Sequence, residues 1–223
     1  MKVKSLLTLF LASTLFFCFK LPTNSNLADE NPLWLRYPSI SPDGKQIVFC
    51  YKGDIFRVAA SGGTAFQLTS SDAHDFNPVW SNDGKWIAFA SDRYGNYDVF
   101  VVSADGGNSK RLTVHSSGDI PNCFSPDNKE VYYTSTRIDV FTSYASSASR
   151  LPELYKVSVE GGREKMVFSH PAEELKINAA GDKFLFIDKK GYEDTWRKHH
   201  TSSVTRDIWV YEIIRQLQNG FDF

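Results

Sequence analysis

One aromatic side chain and a group of basic side chains stand close together near the end of the chain, in a pattern suited to binding carboxylates. They are Trp196, Arg197, Lys198, His199, His200 and Arg206. Arginine and lysine donate charge-assisted hydrogen bonds to carboxylates, and an indole offers a flat face for stacking. The segment therefore predicts a binding surface for acidic peptides or free C-terminal carboxylates. A solvated loop of mixed charge, with Glu193 and Asp194 as counter-charges, explains the same residues.

The adjacent imidazoles of His199 and His200 raise the question of a metal site. Neighbouring residues of a strand point to opposite sides of it, and no third ligand follows at the spacing that zinc sites use. Asp43, Asp83 and Asp127 each lie in a short turn and do not form the Asp-x-Asp-x-Asp-Gly loop of a calcium site. We therefore expect no metal.

Motifs for catalysis or for a cofactor are absent from the sequence. It has no Gly-x-Ser-x-Gly elbow, no Walker loop, no His-Glu-x-x-His and no Cys-x-x-Cys. An activated nucleophile needs a base and an orienting group close in space, and nothing in the sequence indicates such a grouping. We predict no catalytic residue and no cofactor in this chain.

The composition is that of a globular protein with no excess of either charge. The chain has 223 residues, with 25 Lys and Arg against 26 Asp and Glu, and a net charge of −1. This balance argues against a nucleic-acid partner, since binding to phosphates needs a basic surplus. Aromatic residues make up 14% of the chain, which favours β-structure.

Residues 1–28 have the features of a secretory signal peptide. Lys2 and Lys4 precede an uncharged stretch, Ser5–Phe19, that is rich in leucine and phenylalanine. This stretch is short for a membrane span, which needs about 20 apolar residues. We therefore expect a secreted or periplasmic protein with no membrane association after cleavage. Of the cysteines that would remain, Cys50 and Cys123 lie in apolar runs and are expected to be buried thiols.

A repeated turn divides the rest of the chain into units. Ser41-Pro42-Asp43-Gly44-Lys45 recurs at Ser81–Lys85 and at Ser125–Lys129, with a diverged copy at Asn178–Lys183. Each turn is followed by an apolar run and then by an acidic residue that opens a second apolar run. These acidic residues are Asp54, Asp98, Glu153 and Asp207, and we expect them to bond backbone or turn groups. Each is followed two residues later by an aromatic residue expected to lie between units: Phe56, Phe100, Tyr155 and Trp209.

The units predict an all-β fold, a β-propeller built of four-stranded antiparallel blades. Proline and glycine fit the tight turn, and the flanking β-branched and aromatic residues favour strands. A four-stranded unit that recurs about every 40 residues is typical of a propeller blade. The sequence supplies three full blades and a partial fourth, so we expect an incomplete ring. A β-sandwich explains the strands, but it does not explain why the turn and the acidic residue recur in the same order in every unit.

Extra length enters each unit at one position, between its second and third strands. The interval from Gly44 to Asp54 is short, whereas the interval from Gly181 to Asp207 is long. The expanded loops, Arg137–Arg150 and Lys189–Arg206, therefore lie on one face of the propeller. Loops on a rigid scaffold are where binding usually resides.

The second unit, from Asn77–Arg93 through Asp98–Val101 to Leu112-Thr113, resembles the propeller repeat of TolB and of the N-terminal part of tricorn-type proteases. The segment Trp196–Tyr211 and the opening Asn31–Pro38 are more similar to secreted tricorn-like serine peptidases. The resemblance covers about Leu33 to Tyr211 and implies part of a six-bladed ring, and we assign residues 29–211 to the propeller. Residues 212–223 depart from the repeat, and we interpret this atypical tail as a truncation.

The resemblance implies the non-catalytic propeller part of a tricorn-like serine protease, one that binds or gates peptides. Its partners would be peptides or proteins and the C-terminal protease domains of the family. Two other functions fit the repeats. One is a stand-alone TolB-like interaction propeller of the periplasm, and the other is the propeller cap of a prolyl-oligopeptidase-type hydrolase. The DNA downstream of Phe223 distinguishes the three.

Overall fold

The computed structural model describes residues 34–137, 151–188 and 207–212, and within them the fold is all β, as predicted. The described residues form fifteen strands and no helix. The predicted signal peptide, 1–28, and residues 213–223 of the predicted tail lie outside the described residues. No helix among the described residues has the length and apolar character that a membrane crossing requires.

The strands form four antiparallel sheets, each made of strands that are consecutive in sequence. Blade 1 contains β1 Arg36–Ile40, β2 Gln46–Tyr51, β3 Asp54–Ala59 and β4 Phe66–Gln67. Blade 2 contains β5 Asp75–Trp80, β6 Trp86–Ser91, β7 Asp98–Ser103 and β8 Lys110–Arg111. Blade 3 contains β9 Asp119–Phe124, β10 Glu130–Ser135, β11 Glu153–Ser158 and β12 Lys165–Phe168. Blade 4 has three strands in the described residues: β13 Ala172–Ile177, β14 Lys183–Asp188 and β15 Ile208–Glu212.

The four sheets are arranged as propeller blades that stack in chain order. Strands of blade 1 pack against blade 2, those of blade 2 against blade 3, and those of blade 3 against blade 4. The prediction of three full blades and a partial fourth is confirmed. Because one blade cannot bury both of its faces alone, this stacking is what creates the core.

The first strand of blade 2 is longer than predicted. The sequence predicts a strand over Pro78–Trp80, whereas β5 begins at Asp75. A bulge between Phe76 and Val79 lets the strand continue, with Asn77 at a φ of 54°. The side chain of Asn77 donates a 2.8 Å hydrogen bond to the carbonyl of Pro121 in blade 3. Proline and a non-glycine residue at positive φ are both untypical of regular strands. The sequence therefore did not predict that the strand begins at Asp75.

The repeated turn is held by one hydrogen-bond pattern in blades 1, 2 and 3. In blade 3 the hydroxyl of Ser125 donates to Asp127 Oδ1 at 2.6 Å, and the amide of Glu130 donates to Ser125 Oγ at 3.0 Å. The amide of Lys129 donates to Asp127 Oδ1 at 3.2 Å. These bonds hold the pKa of Asp127 below its ordinary value, the Ser125 hydroxyl first. The same bonds form at Ser41 and Ser81.

Replacing Ser125 with alanine is expected to move the pKa of Asp127 back up toward its ordinary value. A carboxylate with a lowered native pKa stabilises the fold above the unfolded pKa, and this contribution disappears as the pH falls through the native pKa. The variant should therefore lose stability against wild type at neutral pH and approach wild type in acid. NMR titration of the carboxyl carbon measures the shift directly, and an unchanged Asp127 pKa would contradict the assignment.

The core lies between the blades, where each blade buries one face on each neighbour. We name the face toward the preceding blade the leading face and the opposite one the trailing face. Between blades 1 and 2, Val48 and Ile55 of the trailing face meet Phe89 and Phe100 of the next leading face. The rings of Phe89 and Phe100 stack with centroids 5.8 Å apart. This interface buries all four side chains.

The aromatic residues predicted to lie between blades differ in burial. Phe100 and Tyr155 are buried, as expected. Phe56 is half-buried and Trp209 is 47% exposed. Phe56 belongs to the leading face of blade 1, which meets no preceding blade among the described residues. Trp209 lies on β15, the outermost strand that the structure describes in blade 4.

Threonine hydroxyls and cysteine thiols complete the internal bonding. The amide of Val99 donates to Thr113 Oγ1 at 2.9 Å, and the amide of Ile55 donates to Thr69 Oγ1 at 3.0 Å. The repeated dipeptides Leu68-Thr69 and Leu112-Thr113 thus link the ends of blades 1 and 2 to the third strands of those blades. Both cysteines of the described residues are free thiols. Cys50 donates to the carbonyl of Asp75 at 3.1 Å, and burial raises the pKa of Cys123 to about 12.

Candidate functional site

The residues predicted to bind peptide all lie in the segment 189–206, outside the described residues. They are Trp196, Arg197, Lys198, His199, His200 and Arg206. The structure does describe the strand ends from which this segment leaves and to which it returns. It also describes the ends of the other expanded loop, whose residues 138–150 likewise lie outside the described residues.

The ends of both long segments are closed by backbone pairing. At residues 189–206, Ile187 pairs with Ile208, and the amide of Asp188 donates to the carbonyl of Asp207 at 3.0 Å. At residues 138–150, Ser135 pairs with Glu153. Each segment therefore begins and ends at one fixed pair of strand ends, as an insertion into a hairpin does.

Both insertions connect the second strand of a blade to its third, as predicted from the spacing. In an antiparallel blade, these connections and the links to the next blade emerge at one end, whereas the repeated Ser-Pro-Asp-Gly and Gly-Gly turns emerge at the other. We name the first end the insertion face and the second the turn face. In blade 2 the insertion face carries the short connection 92–97.

A buried arginine anchors the insertion of blade 3. Arg137 donates to Asp119 Oδ2 at 2.7 Å and forms a second ion pair with Glu164. Its guanidinium lies over the ring of Tyr155, 4.7 Å from the centroid, and its amide donates to Glu153 Oε2 at 3.1 Å. Asp119 is fully buried, so the cation compensates a carboxylate that water does not reach. The first residue of the loop is thereby fixed to the first, second and third strands of its blade.

Blade 2 uses the same anchor in a simpler form. Arg93 donates to Asp75 Oδ2 at 2.9 Å and to Ser91 Oγ at 2.9 Å, and it stacks over Phe100 at 4.5 Å. The sequence analysis did not identify this aspartate–arginine pair in either blade. The sequence pattern that marks the pair is an aspartate at the start of the first strand, together with Ser-x-Arg at the end of the second strand.

Carboxylates outnumber cations where blades 2 and 3 meet. Asp98 pairs with Arg111 at 2.7 Å, close to the pair of Asp119 with Arg137. Burial raises the pKa of Asp98, Arg111 opposes the rise, and the carboxylates of Asp119 and Glu164 add to it. Burial likewise raises the pKa of Asp119 against its hydrogen bonds and Arg137. These ion pairs stabilise the strand ends from which the loops leave. None of these groups places a nucleophile next to a general base.

Aromatic side chains cover the described part of the insertion face beside these anchors. Phe76 packs against Tyr97 with ring centroids 4.8 Å apart, and against Tyr37 of blade 1 at 5.3 Å. The ring of His74 stacks on Phe76 at 5.4 Å. Tyr94, which is 62% exposed, lies under the Arg111 guanidinium at 4.3 Å. The face thus presents flat rings next to cations, which suits an extended peptide.

A groove of about 670 Å³ lies on the turn face between blades 1 and 2. Its walls include the turn residues Asp43 and Asp83 and the indoles of Trp80 and Trp86. Arg57 of blade 1 spans it to Asp105 of blade 2 at 3.3 Å. Sequence reasoning did not identify this groove, because it depends on how two units stack. No group of His, Cys, Asp or Glu with the arrangement of a metal site occurs among the described residues.

Solved structures similar to this chain include a TolB protein and the tricorn protease. TolB from Acinetobacter baumannii aligns with a TM-score of 0.58 at 20% identity, over 81% of this chain and 41% of that one. The tricorn protease aligns with a TM-score of 0.60 at 14% identity, over 80% of this chain and 21% of that one. At these identities the likeness shows the fold. The chain spans less than half the length of either protein, and a comparison with curated proteins gave no match.

A family model settles which propeller family this is. The model of the tricorn protease N-terminal β-propeller domain matches residues 32–219, most of the chain. The match includes all four described blades and both insertions. The chain therefore belongs to the family of tricorn protease N-terminal β-propeller domains.

Proposed function

We propose that this chain is the non-catalytic, peptide-binding propeller of a tricorn-type serine peptidase, and that it works in the periplasm or outside the cell. The family match supports the link to proteolysis. The observation that carries the binding role is the insertion face. There, two long insertions arise from anchored strand ends beside exposed aromatic side chains.

The proposed mechanism is capture of an extended peptide across the insertion face. Aromatic rings such as Tyr94 and Trp196 would stack on the peptide, and Arg197, Lys198 and Arg206 would pair with its carboxylates. Individual exposed pairs contribute little, so affinity accumulates over several contacts. The buried Arg137 anchor limits the conformational freedom of one insertion base, which reduces the entropy lost on binding.

Replacing Arg197, Lys198 and Arg206 together with alanine is expected to weaken binding of acidic peptides. At roughly 0.5–1 kcal/mol for each ion pair with the peptide, the loss is on the order of tenfold to a hundredfold in Kd. The measurement is calorimetric or fluorescence titration with a peptide rich in glutamate, at low and high salt. Salt should weaken wild-type binding more than binding by the variant, because it screens exposed charges.

The turn face supplies a matched control. Lys45, Lys85 and Lys129 are 76–80% exposed, so replacing all three with alanine removes the same charge from the opposite end of the blades. This control should bind the peptide as wild type does. Equal weakening by both triple variants would show that only net charge matters, and no weakening by either would contradict the assigned face. Mass spectrometry of the mixture should recover the peptide intact.

A further inference from the structure

The groove on the turn face between blades 1 and 2 occupies a space that the repeat fills at the next blade junction. The fourth residue of the third strand faces this space, and it is Arg57 in blade 1 and Val101 in blade 2. Val101 is buried in the apolar cluster between blades 2 and 3, together with Phe124. Phe124 is the repeat counterpart of Trp80, which lines the groove. The same place in the repeat is therefore apolar core at one junction and an open groove with polar walls at the other.

The turns beside this space are joined at one junction and not at the other. Between blades 2 and 3, the side chain of Asn82 donates to the carbonyl of Ser125 at 2.8 Å, and the backbone amide of Asn82 donates to Asn128 Oδ1 at 2.7 Å. Between blades 1 and 2, the corresponding positions are Pro42 and Gly84. Proline has no N–H and glycine has no side chain, so neither bond can form there. This junction therefore lacks the bonds that close the turns over the space.

Arg57 enters the groove with only a weak partner. Its side chain is 25% exposed, and among the described residues its guanidinium donates one hydrogen bond, to Asp105 at 3.3 Å. The Asp105 side chain is 93% exposed, so water screens this pair. In blade 3 the counterpart Lys156 pairs with Glu130 of its own blade at 2.7 Å, whereas blade 1 has the neutral Gln46 at that position. Because a guanidinium has five N–H donors, most of those of Arg57 remain available to a carboxylate of a ligand.

Two ionised carboxylates, those of Asp43 and Asp83, lie on the walls of the same groove. The serine hydroxyl of each turn donates to the carboxylate at 2.6 Å and lowers its pKa, so both groups stay ionised at neutral pH. The lysine of each turn lies 3.9 Å from Asp43 or 3.8 Å from Asp83 and is well exposed, which makes these ion pairs weak. Both carboxylates can therefore accept hydrogen bonds from an ammonium group of a ligand.

The indole of Trp80 supplies an apolar wall between these charges. Its Nε1 donates to the carbonyl of Ser39 in blade 1 at 3.1 Å, which fixes the ring across the junction. The groove volume of about 670 Å³ lies within the range of about 300–1,000 Å³ that small-molecule sites have. The groove thus has room for a ligand of a few residues.

We propose that this groove binds a zwitterionic short peptide through both of its free ends. The terminal carboxylate pairs with Arg57, the terminal ammonium pairs with Asp43 and Asp83, and a side chain of the peptide packs on Trp80. An anion alone would meet the two carboxylates, and a cation alone would meet the guanidinium, so a ligand with both charges complements the walls best. The site lies at the opposite end of the blades from the insertion face, and it does not depend on peptide capture there.

Calorimetric titration of the purified chain with the tripeptide alanyl-phenylalanyl-alanine tests this site. Acetylation of the peptide amine and amidation of its carboxylate should each raise Kd by roughly tenfold or more, because each removes a charge-assisted hydrogen bond. Arg57→Gln should abolish the effect of amidation. Asp43→Asn combined with Asp83→Asn should abolish the effect of acetylation. A general loss of stability would not link each substitution to one end of the peptide.

Asp127→Asn is the matched control, because Asp127 makes the same turn bonds in blade 3 and does not line the groove. This variant and the triple variant at Arg197, Lys198 and Arg206 should bind the tripeptide as wild type does. Circular dichroism checks that each variant keeps its β-structure. The glutamate-rich peptide of the insertion-face titration carries blocked ends, which keeps the two sites distinguishable.

Three results would overturn the proposal. One is a free tripeptide that does not bind at millimolar concentration, and another is equal affinity of the free and the blocked tripeptides. The third is sensitivity to only one of the two modifications, because the groove would then recognise a single charge. Failure of the glutamate-rich peptide to bind the insertion face would leave this site unaffected.

Discussion

Alanine in place of Arg137 is expected to lower the free energy of unfolding by about 3–5 kcal/mol, because it leaves buried carboxylates without their cation. The Arg137 side chain is 11% exposed, and its partner Asp119 is fully buried. The substitution also removes the cation that stacks over Tyr155 at 4.7 Å. Urea unfolding followed by circular dichroism measures the change.

Lys110 offers the comparison for this prediction. It pairs with Glu160 across blades 2 and 3 at 3.3 Å, but the two side chains are 48% and 86% exposed. Lys110→Ala should therefore change stability by less than about 1 kcal/mol. Equal effects of the two substitutions would contradict the role assigned to the buried anchor. A double-mutant cycle with Asp119→Ala should show strong coupling to Arg137 and none to Lys110.

Phe89→Ala is expected to destabilise the protein by about 3–5 kcal/mol, because it leaves a cavity between blades 1 and 2. Phe89 is fully buried and packs in one cluster with Val48 and Ile55 of the preceding blade. Thermal or urea unfolding provides the measurement. A cost this large from one side chain would show that contact between blades, more than pairing within a blade, stabilises the fold.

The repeat provides an internal control for this side chain. Phe49 occupies the same position in blade 1, pairs with Phe56 as Phe89 pairs with Phe100, and is half-buried. Phe49→Ala should cost only about 1–2 kcal/mol, in proportion to the smaller apolar area removed from water. Equal costs at the two positions would mean that stacking onto the preceding blade adds nothing.

The sequence predicts the blades well because their signals are local. The serine, aspartate and glycine of each turn lie within a few residues of one another, and alternation marks the strands that follow. The bulge at Asn77 was not predicted because Pro78 and a residue at positive φ are untypical of strands, and because the hydrogen-bond acceptor of Asn77, the carbonyl of Pro121, belongs to another blade. The anchor of Arg137 was missed for a related reason, since Asp119 and Glu164 lie far from it in sequence.

The candidate site could be predicted only as a position on the scaffold. Spacing placed both insertions between the second and third strands, and the pairing of Ser135 with Glu153 and of Ile187 with Ile208 agrees with that. The aromatic cover of the insertion face was not predicted. It brings together Tyr37, Phe76 and Tyr97 from two blades, and only the stacking of those blades makes them neighbours.

Photo-crosslinking of a bound peptide tests the central claim most directly. A glutamate-rich peptide that carries a benzophenone group would be irradiated with the chain, and the modified residues would be located by mass spectrometry. The account predicts crosslinks within residues 138–150 and 189–206 and beside Tyr94, competed by unlabelled peptide and lost in the triple variant at Arg197, Lys198 and Arg206. Crosslinks confined to the turn-face segments Ser41–Lys45 and Ser81–Lys85 would contradict it.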